Sequence, residues 1–104
     1  MEKMELRHVV MFKFKDEAPK EGIEAVEKAF VSLRDSIPLI RSLEWGTDVS
    51  TEGINQGFTH CFLVTFASEE DRDAYLPHPA HKAFGDVLKP VIDKVMVIDY
   101  WARG

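Results

Sequence analysis

The sequence predicts an α+β fold in which one antiparallel sheet of four strands carries its helices on a single face. The predicted strands are separated by amphipathic helical segments along the chain. The chain has 104 residues, of which 45% are hydrophobic, enough for one folded core. The predicted strands are also apolar on both sides, although helices on a single face leave the other face of the sheet uncovered. We therefore treat residues 1–104 as a single domain.

The first strand and the first helix are predicted from the spacing of their apolar residues. Alternating side chains predict a strand over Leu6–Phe14. A polar segment that ends at Pro19 follows this strand. A helix is expected from about Pro19 to Ser36, where Pro38 prevents its continuation. Its apolar residues recur at helical spacing and form one stripe: Ile23, Val26, Phe30, Leu33 and Ile37.

Two strands are predicted in the middle of the chain. The first covers Leu39–Val49 and is bent near Gly46. A polar loop over 50–57 separates it from the second, Thr59–Phe66, which is rich in β-branched and aromatic residues.

The last third of the chain contains two predicted helices and a strand. Ser68 begins a capping-box-like start to a short helix that reaches Tyr75. Pro79 is expected in the first turn of the next helix, whose apolar face is formed by His81, Phe84, Val87, Leu88 and Val91. Lys94–Trp101 is the final strand. The resulting order, β-α-β-β-α-α-β, indicates a ferredoxin-like sheet.

Both faces of this sheet are predicted to be apolar, although helices can cover only one. The uncovered face would carry Met11, Leu63 and Met96, where a solvated antiparallel sheet normally has polar residues. We therefore expect a homodimer in which two sheets close face to face into an α/β-barrel. The alternative is that these are scattered surface residues, which are common.

Composition argues against several classes of partner and compartment. The net charge is −5, with no basic cluster, which disfavours nucleic acid or an anionic membrane as a partner. The chain has one cysteine, Cys61, and its charged start over Met1–Glu5 is unlike a signal peptide. The cytoplasm is the expected location.

Histidines on apolar faces predict a small-ligand site. Alternation places His8 and His60 on the sides of their strands that face the helices, and His81 lies on the inward stripe of its helix. We expect them to converge with Tyr75 on one cavity, which is lined also by Phe30, Phe62 and Phe84. His81, kept neutral at a helix start, would be a general base, and Tyr75 would donate to a developing oxyanion.

The structural alternative is that these histidines are satisfied core residues. The sequence alone leaves both interpretations open. A histidine metal site is not expected, since no carboxylate or cysteine joins the histidines at ligand spacing. Cys61 is interpreted as buried or interfacial, and Asp99 as a solvated or capping charge. No cofactor is predicted.

The motifs of the chain resemble those of the stress-responsive dimeric α/β-barrel family, the stress-response A/B barrel or Dabb domain. The resemblance covers nearly the whole chain. It rests on the segments 8–15, 37–38, 45–50, 57–60, 75–81 and 93–100. It implies a ferredoxin-like protomer and a homodimer whose two sheets form a barrel.

The resemblance also implies candidate functions. A plant cyclase of the family closes a linear polyketide by aldol condensation, and its catalytic Tyr and His match Tyr75 and His81. It carries a Tyr where this chain has Phe30, so its substrate does not carry over. Some members bind a cation through backbone carbonyls, which match the region of Arg34, Ile37 and Ile40 here.

Three functions remain open at this point. The chain is expected to be a homodimeric stress-related protein that binds a small apolar or aromatic ligand. The first alternative is a cofactor-free cyclase or lyase that uses His81 and Tyr75. The second is a cofactor-independent oxygenase, by analogy with other families of this fold.

Overall fold

The computed structural model describes residues 4–104; the first three residues of the charged start lie outside the described part of the chain. Its elements follow the predicted order. They are β1 (Leu6–Phe14), α1 (Lys20–Ser36), β2 (Ser42–Thr47), β3 (His60–Phe66), α2 (Glu69–Tyr75), α3 (Pro79–Leu88) and β4 (Ile92–Trp101). No helix in this part of the chain is long and apolar enough to cross a membrane.

The strands form one antiparallel sheet in the order β2-β3-β1-β4. The first strand is therefore central, and β2 and β4 are its two edges. The register places His8 opposite Val64 of β3 and opposite Asp99 of β4. This arrangement confirms the predicted ferredoxin-like fold.

The core lies between the sheet and the helices. Alternate residues of β1 and β3 are buried beneath the helices, as the two-residue period of a strand requires. Helix α1 contributes Val26, Phe30 and Leu33 from one stripe, as the helical period predicts. All three helices thus cover the same face.

Four strand boundaries differ from prediction by one to three residues. β2 ends at Thr47 rather than Val49, and β3 begins at His60 rather than Thr59. β2 begins at Ser42 rather than Leu39, because the chain turns after α1: the Ile40 N–H donates to the carbonyl of Ile37 at 3.1 Å. β4 begins at Ile92, two residues before the predicted start, where the pairing with β1 shifts register next to Phe14. None of these differences changes which face a site residue occupies.

The edge strand β4 is exposed on both faces of the protomer. Met96, Ile98 and Tyr100 are 40–51% exposed on the face without helices. Val95 and Val97 are each 48% exposed on the helix-covered face, because the helices do not extend fully over this edge. The uncovered apolar face matches the sequence expectation, and the gap beneath the helices opens a cavity.

Candidate active site

A cavity of about 490 Å³ lies between β4, the centre of the sheet and the helices α2 and α3. Its walls include Val95 and Val97 from the edge strand and Phe84 and Leu88 from α3. His8, Tyr75 and His81 supply polar groups in this largely apolar space. Such a mixture is typical of a site for a small organic ligand.

Local sequence signals position Tyr75 and His81 in this wall. The Ser68 hydroxyl caps α2 by accepting from the Asp71 N–H at 3.1 Å, and Tyr75 is the last residue of that helix. His78 caps α3, because its Nδ1 accepts from the Ala80 N–H at 3.0 Å. Pro79 then occupies the first turn. The two rings meet at the junction, with centroids 4.7 Å apart in an edge-to-face arrangement.

His81 is held in its neutral form. Burial lowers the pKa of His81 below its ordinary value of 6.5, and the nearby His8 lowers it further. A backbone hydrogen bond with Leu76 acts in the opposite direction. A neutral ring that donates one N–H to a carbonyl keeps its second nitrogen unprotonated. His81 therefore has the form that a general base requires, with burial rather than the helix start as the main cause.

The Tyr75 hydroxyl is available as a donor. Burial alone raises the pKa of Tyr75 well above its ordinary value of 10.0, so the phenol keeps its proton. Its side chain is 1% exposed, and no fully buried side-chain oxygen or nitrogen among residues 4–104 lacks a hydrogen-bond partner. The hydroxyl is not part of the side-chain hydrogen-bond network in this range, so it reaches the open space of the cavity.

His8 lines the same cavity and has a carboxylate partner that the sequence interpretation missed. Its Nδ1 lies 2.7 Å from Asp99 Oδ1, and Asp99 Oδ2 accepts from the Arg72 guanidinium at 2.9 Å. Asp99 is exposed, as the expectation of a solvated charge requires, but the sequence interpretation missed that it pairs with His8 and Arg72. Asp99, Arg72 and Asp73 line the cavity. Asp99 lies on the same strand face as Val95 and Val97, and this charge on an apolar strand face was the signal.

His60 does not reach the cavity. Its Nε2 lies 2.7 Å from Glu27 Oε2, and its Nδ1 lies 2.9 Å from the Thr59 hydroxyl. The ring is 8% exposed and stacks on Trp45, with centroids 6.0 Å apart. Both ring nitrogens are thus already used, which corrects the expected convergence of His60 with the other histidines.

Aromatic side chains divide the cavity from the His60 region. Phe30 and Phe84 line the cavity, as predicted. Phe62 does not line it, because its ring stacks on Phe30 with centroids only 4.0 Å apart. The predicted lining set is therefore split: His8, Phe30 and Phe84 lie at the cavity, whereas His60 and Phe62 lie behind its aromatic wall.

A second cavity of about 490 Å³ lies on the opposite face of the sheet, against the loop that precedes β3. Met11, Cys61 and Met96 line it, and Cys61 is exposed in the protomer. Burial raises the pKa of the Cys61 thiol, with a smaller contribution from Glu44, so this thiol is a weak nucleophile. We therefore assign this hollow to the apolar outer face and not to a reaction site.

The predicted cation site near the end of α1 remains a prediction. The carbonyl of Ile37 accepts from the Ile40 N–H, and the Arg34 guanidinium donates to the carbonyl of Leu43 at 3.4 Å. Elsewhere, no cluster of three or more histidine, cysteine, aspartate or glutamate side chains in residues 4–104 is placed to hold a metal.

Two curated plant proteins are similar to nearly the whole chain. Olivetolic acid cyclase of Cannabis sativa is 38% identical over 100 residues, which are 96% of this chain and 99% of that protein. The stress-response A/B barrel domain-containing protein HS1 of Arabidopsis thaliana is 41% identical over 95 residues, 91% of this chain and 87% of that protein.

Solved structures share the fold. The hydroxynitrile lyase of Passiflora edulis superposes with a TM-score of 0.89 at 25% identity, covering 98% of this chain and 96% of that one. A dimeric ferredoxin-like protein of unknown function from Bacteroides fragilis has a TM-score of 0.77 at 25% identity, with 92% and 94% covered. Residues 6–102 match the Stress responsive A/B Barrel Domain, Dabb. The chain belongs to this family.

Proposed function

We propose that this protein is an acid–base enzyme that transfers a proton at a carbon next to a carbonyl group, using His81 as the base and Tyr75 as the oxyanion donor. The observation that carries the proposal is the pairing of these two side chains in one cavity. There a neutral imidazole lies beside a phenol whose hydroxyl has no protein partner in residues 4–104. Open space beside both groups distinguishes such a site from a filled core.

The proposed step needs only these side chains. His81 accepts a proton from the α-carbon, and the electron pair of the broken C–H bond forms an enolate. The Tyr75 hydroxyl donates a hydrogen bond to the enolate oxygen, where negative charge develops in the transition state. The apolar walls lower the local dielectric constant, which strengthens that hydrogen bond. Return of the proton to carbon, or attack of the enolate on a second carbonyl, completes the reaction.

The relatives support carbonyl chemistry without naming the substrate. One is named as a cyclase and another as a hydroxynitrile lyase, and a hydroxynitrile is the adduct of cyanide and a carbonyl compound. The cavity of this chain has Phe30 and Phe84 in its walls, which favours a ligand with an apolar or aromatic body. No observation specifically favours an oxygenase.

The test is deuterium exchange at the methyl group of acetophenone in deuterium oxide, followed by NMR. This ketone has an aromatic body and acidic α-protons, and exchange requires only the proposed step. We expect the protein to accelerate exchange and His81→Ala to lose the acceleration. His78→Asn is the matched control, since His78 lies in the same segment, outside the cavity, and asparagine preserves a helix cap.

Two results would contradict the proposed function. One is an exchange rate equal to that of buffer in the presence of wild-type protein. The other is an equal rate for His81→Ala and wild type, since the acceleration would then not need the imidazole.

The second candidate is a stress-related protein that binds a small ligand in this cavity without transforming it. Its specific support is the 41% identity to the protein HS1, which is named for a stress response. Binding of acetophenone without any exchange would favour it. We propose the cytoplasm as the compartment, on the single cysteine and the acidic composition.

We also propose that the chain forms a homodimer through the outer face of its sheet. That face presents a continuous apolar row across three strands, in which Ile98, Val9 and Leu63 are cross-strand neighbours. Met96 and Tyr100 extend it and are 40% and 47% exposed. A patch of this kind on a protomer indicates association, and the Bacteroides fragilis structure is described as dimeric.

Lysine substitutions test the dimer. Leu63→Lys or Met96→Lys would bury an unpaired charge in the interface, so we expect a monomer by light scattering. Val49→Lys is the matched control, because Val49 is 89% exposed and lies outside the sheet. A wild-type monomer, or a dimer in both sheet variants, would contradict the proposed interface.

A further inference from the structure

We propose that the outer face of the sheet carries a binding site for a soft monovalent metal ion, Cu(I), formed by the sulfur atoms of Cys61, Met11 and Met96. This face is opposite to the helices, so the site is separate from the cavity of His81 and Tyr75. Binding forms three sulfur–copper bonds and releases the Cys61 thiol proton to solvent, with no change in the oxidation state of copper or sulfur. The inference does not depend on the proposed function of that cavity.

The register of the sheet brings the three sulfur-containing side chains into one row. Met11 of the central strand β1 lies directly opposite Cys61 of β3 and directly opposite Met96 of β4. Directly opposed residues of neighbouring antiparallel strands have their Cβ atoms about 5 Å apart and point to the same face. The row therefore places a thiol and two thioethers side by side across three strands, from residues that are distant in the chain.

The row borders open space in the protomer. Cys61, Met11 and Met96 all line the second cavity, the hollow of about 490 Å³ against the loop that precedes β3. Cys61 is exposed and Met96 is 40% exposed, so an ion can reach both from solvent. A methionine side chain has three rotatable bonds, which allows the two thioether sulfurs to converge on the thiol without displacement of the core.

The type of ligand atom selects the metal. Thiolate and thioether sulfurs favour Cu(I), whereas carboxylate and carbonyl oxygens suit harder cations such as Mg²⁺. His60 borders the hollow, but both of its ring nitrogens already have hydrogen-bond partners. Asp48 also borders it, and its two carboxylate oxygens accept from the Ser50 N–H at 2.9 Å and from the Asn55 amide at 2.7 Å. The sulfur atoms are therefore the ligands best placed to bind an ion here.

The charges near the row have both signs. The Glu44 carboxylate contributes to the raised pKa of the Cys61 thiol, and the same negative charge attracts a cation. Lys13 and Lys94 form the next pair of opposed residues along β1 and β4, and the Lys13 ammonium is 3.6 Å from the carboxylate of Asp93. With charges of both signs nearby, sulfur–copper bonding rather than a negatively charged pocket provides the affinity.

The test is a titration of the full chain with Cu(I) in the absence of oxygen, in competition with the coloured chelator bathocuproine disulfonate. We expect wild-type protein to bind one Cu(I) per chain and Cys61→Ser to lose this binding. Loss of an outer-shell partner already costs a metal site roughly 10–100-fold in affinity, so Met11→Leu and Met96→Leu should each weaken binding by at least about 10-fold. Met4→Leu is the matched control, because Met4 is 54% exposed and precedes β1.

Leucine removes the sulfur but keeps an apolar side chain of similar volume, so light scattering should give the same assembly for the methionine variants as for wild type. Three results would overturn the inference. The first is no binding by wild-type protein. The second is an affinity of Cys61→Ser equal to that of wild type. The third is unchanged affinity in both Met11→Leu and Met96→Leu, since the ion would then be held by a cysteine thiolate only.

The methionine methyl groups give a readout that needs no Cys61 variant. Ag(I) has the same charge and the same preference for sulfur as Cu(I), and it is stable in air. In a carbon–proton NMR spectrum of wild-type protein, one equivalent of Ag(I) should shift the methyl signals of Met11 and Met96 and leave that of Met4 in place. Unshifted Met11 and Met96 signals would overturn the inference, even if Cys61→Ser fails to fold.

Discussion

Histidines lie at both ends of the helix-covered face, but their ring nitrogens have different surroundings at the two ends. At the β2 edge, His60 has hydrogen-bond partners for both ring nitrogens, Glu27 and Thr59, and stacks on Trp45. At the β4 edge, His8 and His81 border open space. The comparison teaches that the number of nitrogens left without a protein partner separates a structural histidine from a candidate catalytic one, whereas burial alone does not.

The largest expected effect comes from a comparison of two alanine variants, one for the histidine at each end of this face. His81→Ala should lower the rate of acetophenone exchange by about 10²-fold or more with little change in unfolding free energy. His60→Ala should leave exchange unchanged but lower the unfolding free energy by about 2–4 kcal/mol, since it leaves a cavity and removes two buried contacts. Urea unfolding and the exchange assay measure both quantities.

The comparison would fail if the two variants behaved alike. A loss of exchange in His60→Ala with unchanged stability would place the reaction at the β2 edge. A stability loss as large in His81→Ala as in His60→Ala would make both histidines structural.

The second prediction concerns the aromatic side chains that divide the cavity from the His60 region. Phe30 lies 2% exposed and stacks on Phe62, so Phe30→Ala should lower the unfolding free energy by about 3–5 kcal/mol. The same change opens the cavity toward His60. Exchange should therefore extend to bulkier aryl ketones that wild type excludes, and an unchanged substrate range would show that Phe30 does not limit the cavity.

The smallest expected effect is the pH dependence. The pKa of His81 is lowered from 6.5, mainly by burial, so exchange should rise with pH through a value below 6.5 and then level off. Burial raises the pKa of Tyr75 above 10.0, so loss of the Tyr75 proton should not lower the rate up to that pH. A rate that still rises steeply through pH 8 would assign the base to another group.

The same lowered pKa affects stability with a defined sign. Folding favours the neutral His81 ring, so its contribution to stability is complete above the ordinary value of 6.5 and decreases as the pH falls below it. His81→Ala should remove this part of the acid dependence, which urea unfolding at a series of pH values measures.

Periodicity allowed most of the fold to be predicted. The strand over Leu6–Phe14 is predicted at its observed bounds because every second residue except His8 is apolar. The Pro79 start of α3 and the His81 position followed from the geometry of proline. Both predictions depend only on residues that are close together in the chain, and such patterns can be recognised from the sequence alone.

The sequence could not predict which site residues meet, because those contacts depend on the register between strands. Alternation correctly placed His8 and His60 on the same face, but His8 pairs with Val64, whereas His60 pairs with Phe12. His60 is thus four residues away along β3, roughly 13 Å at the usual rise of a strand. The pairing of His8 with Asp99 across β1 and β4 likewise depends on register, which no single strand encodes.

The most direct test of the account is a histidine NMR spectrum of the protein titrated with acetophenone. We predict that the ring signals of His8 and His81 shift as the ligand binds, whereas those of His60 and His78 stay in place. A shift of His60 with His81 unmoved would contradict the account, because the ligand would then occupy the end of the sheet that we interpret as packed core.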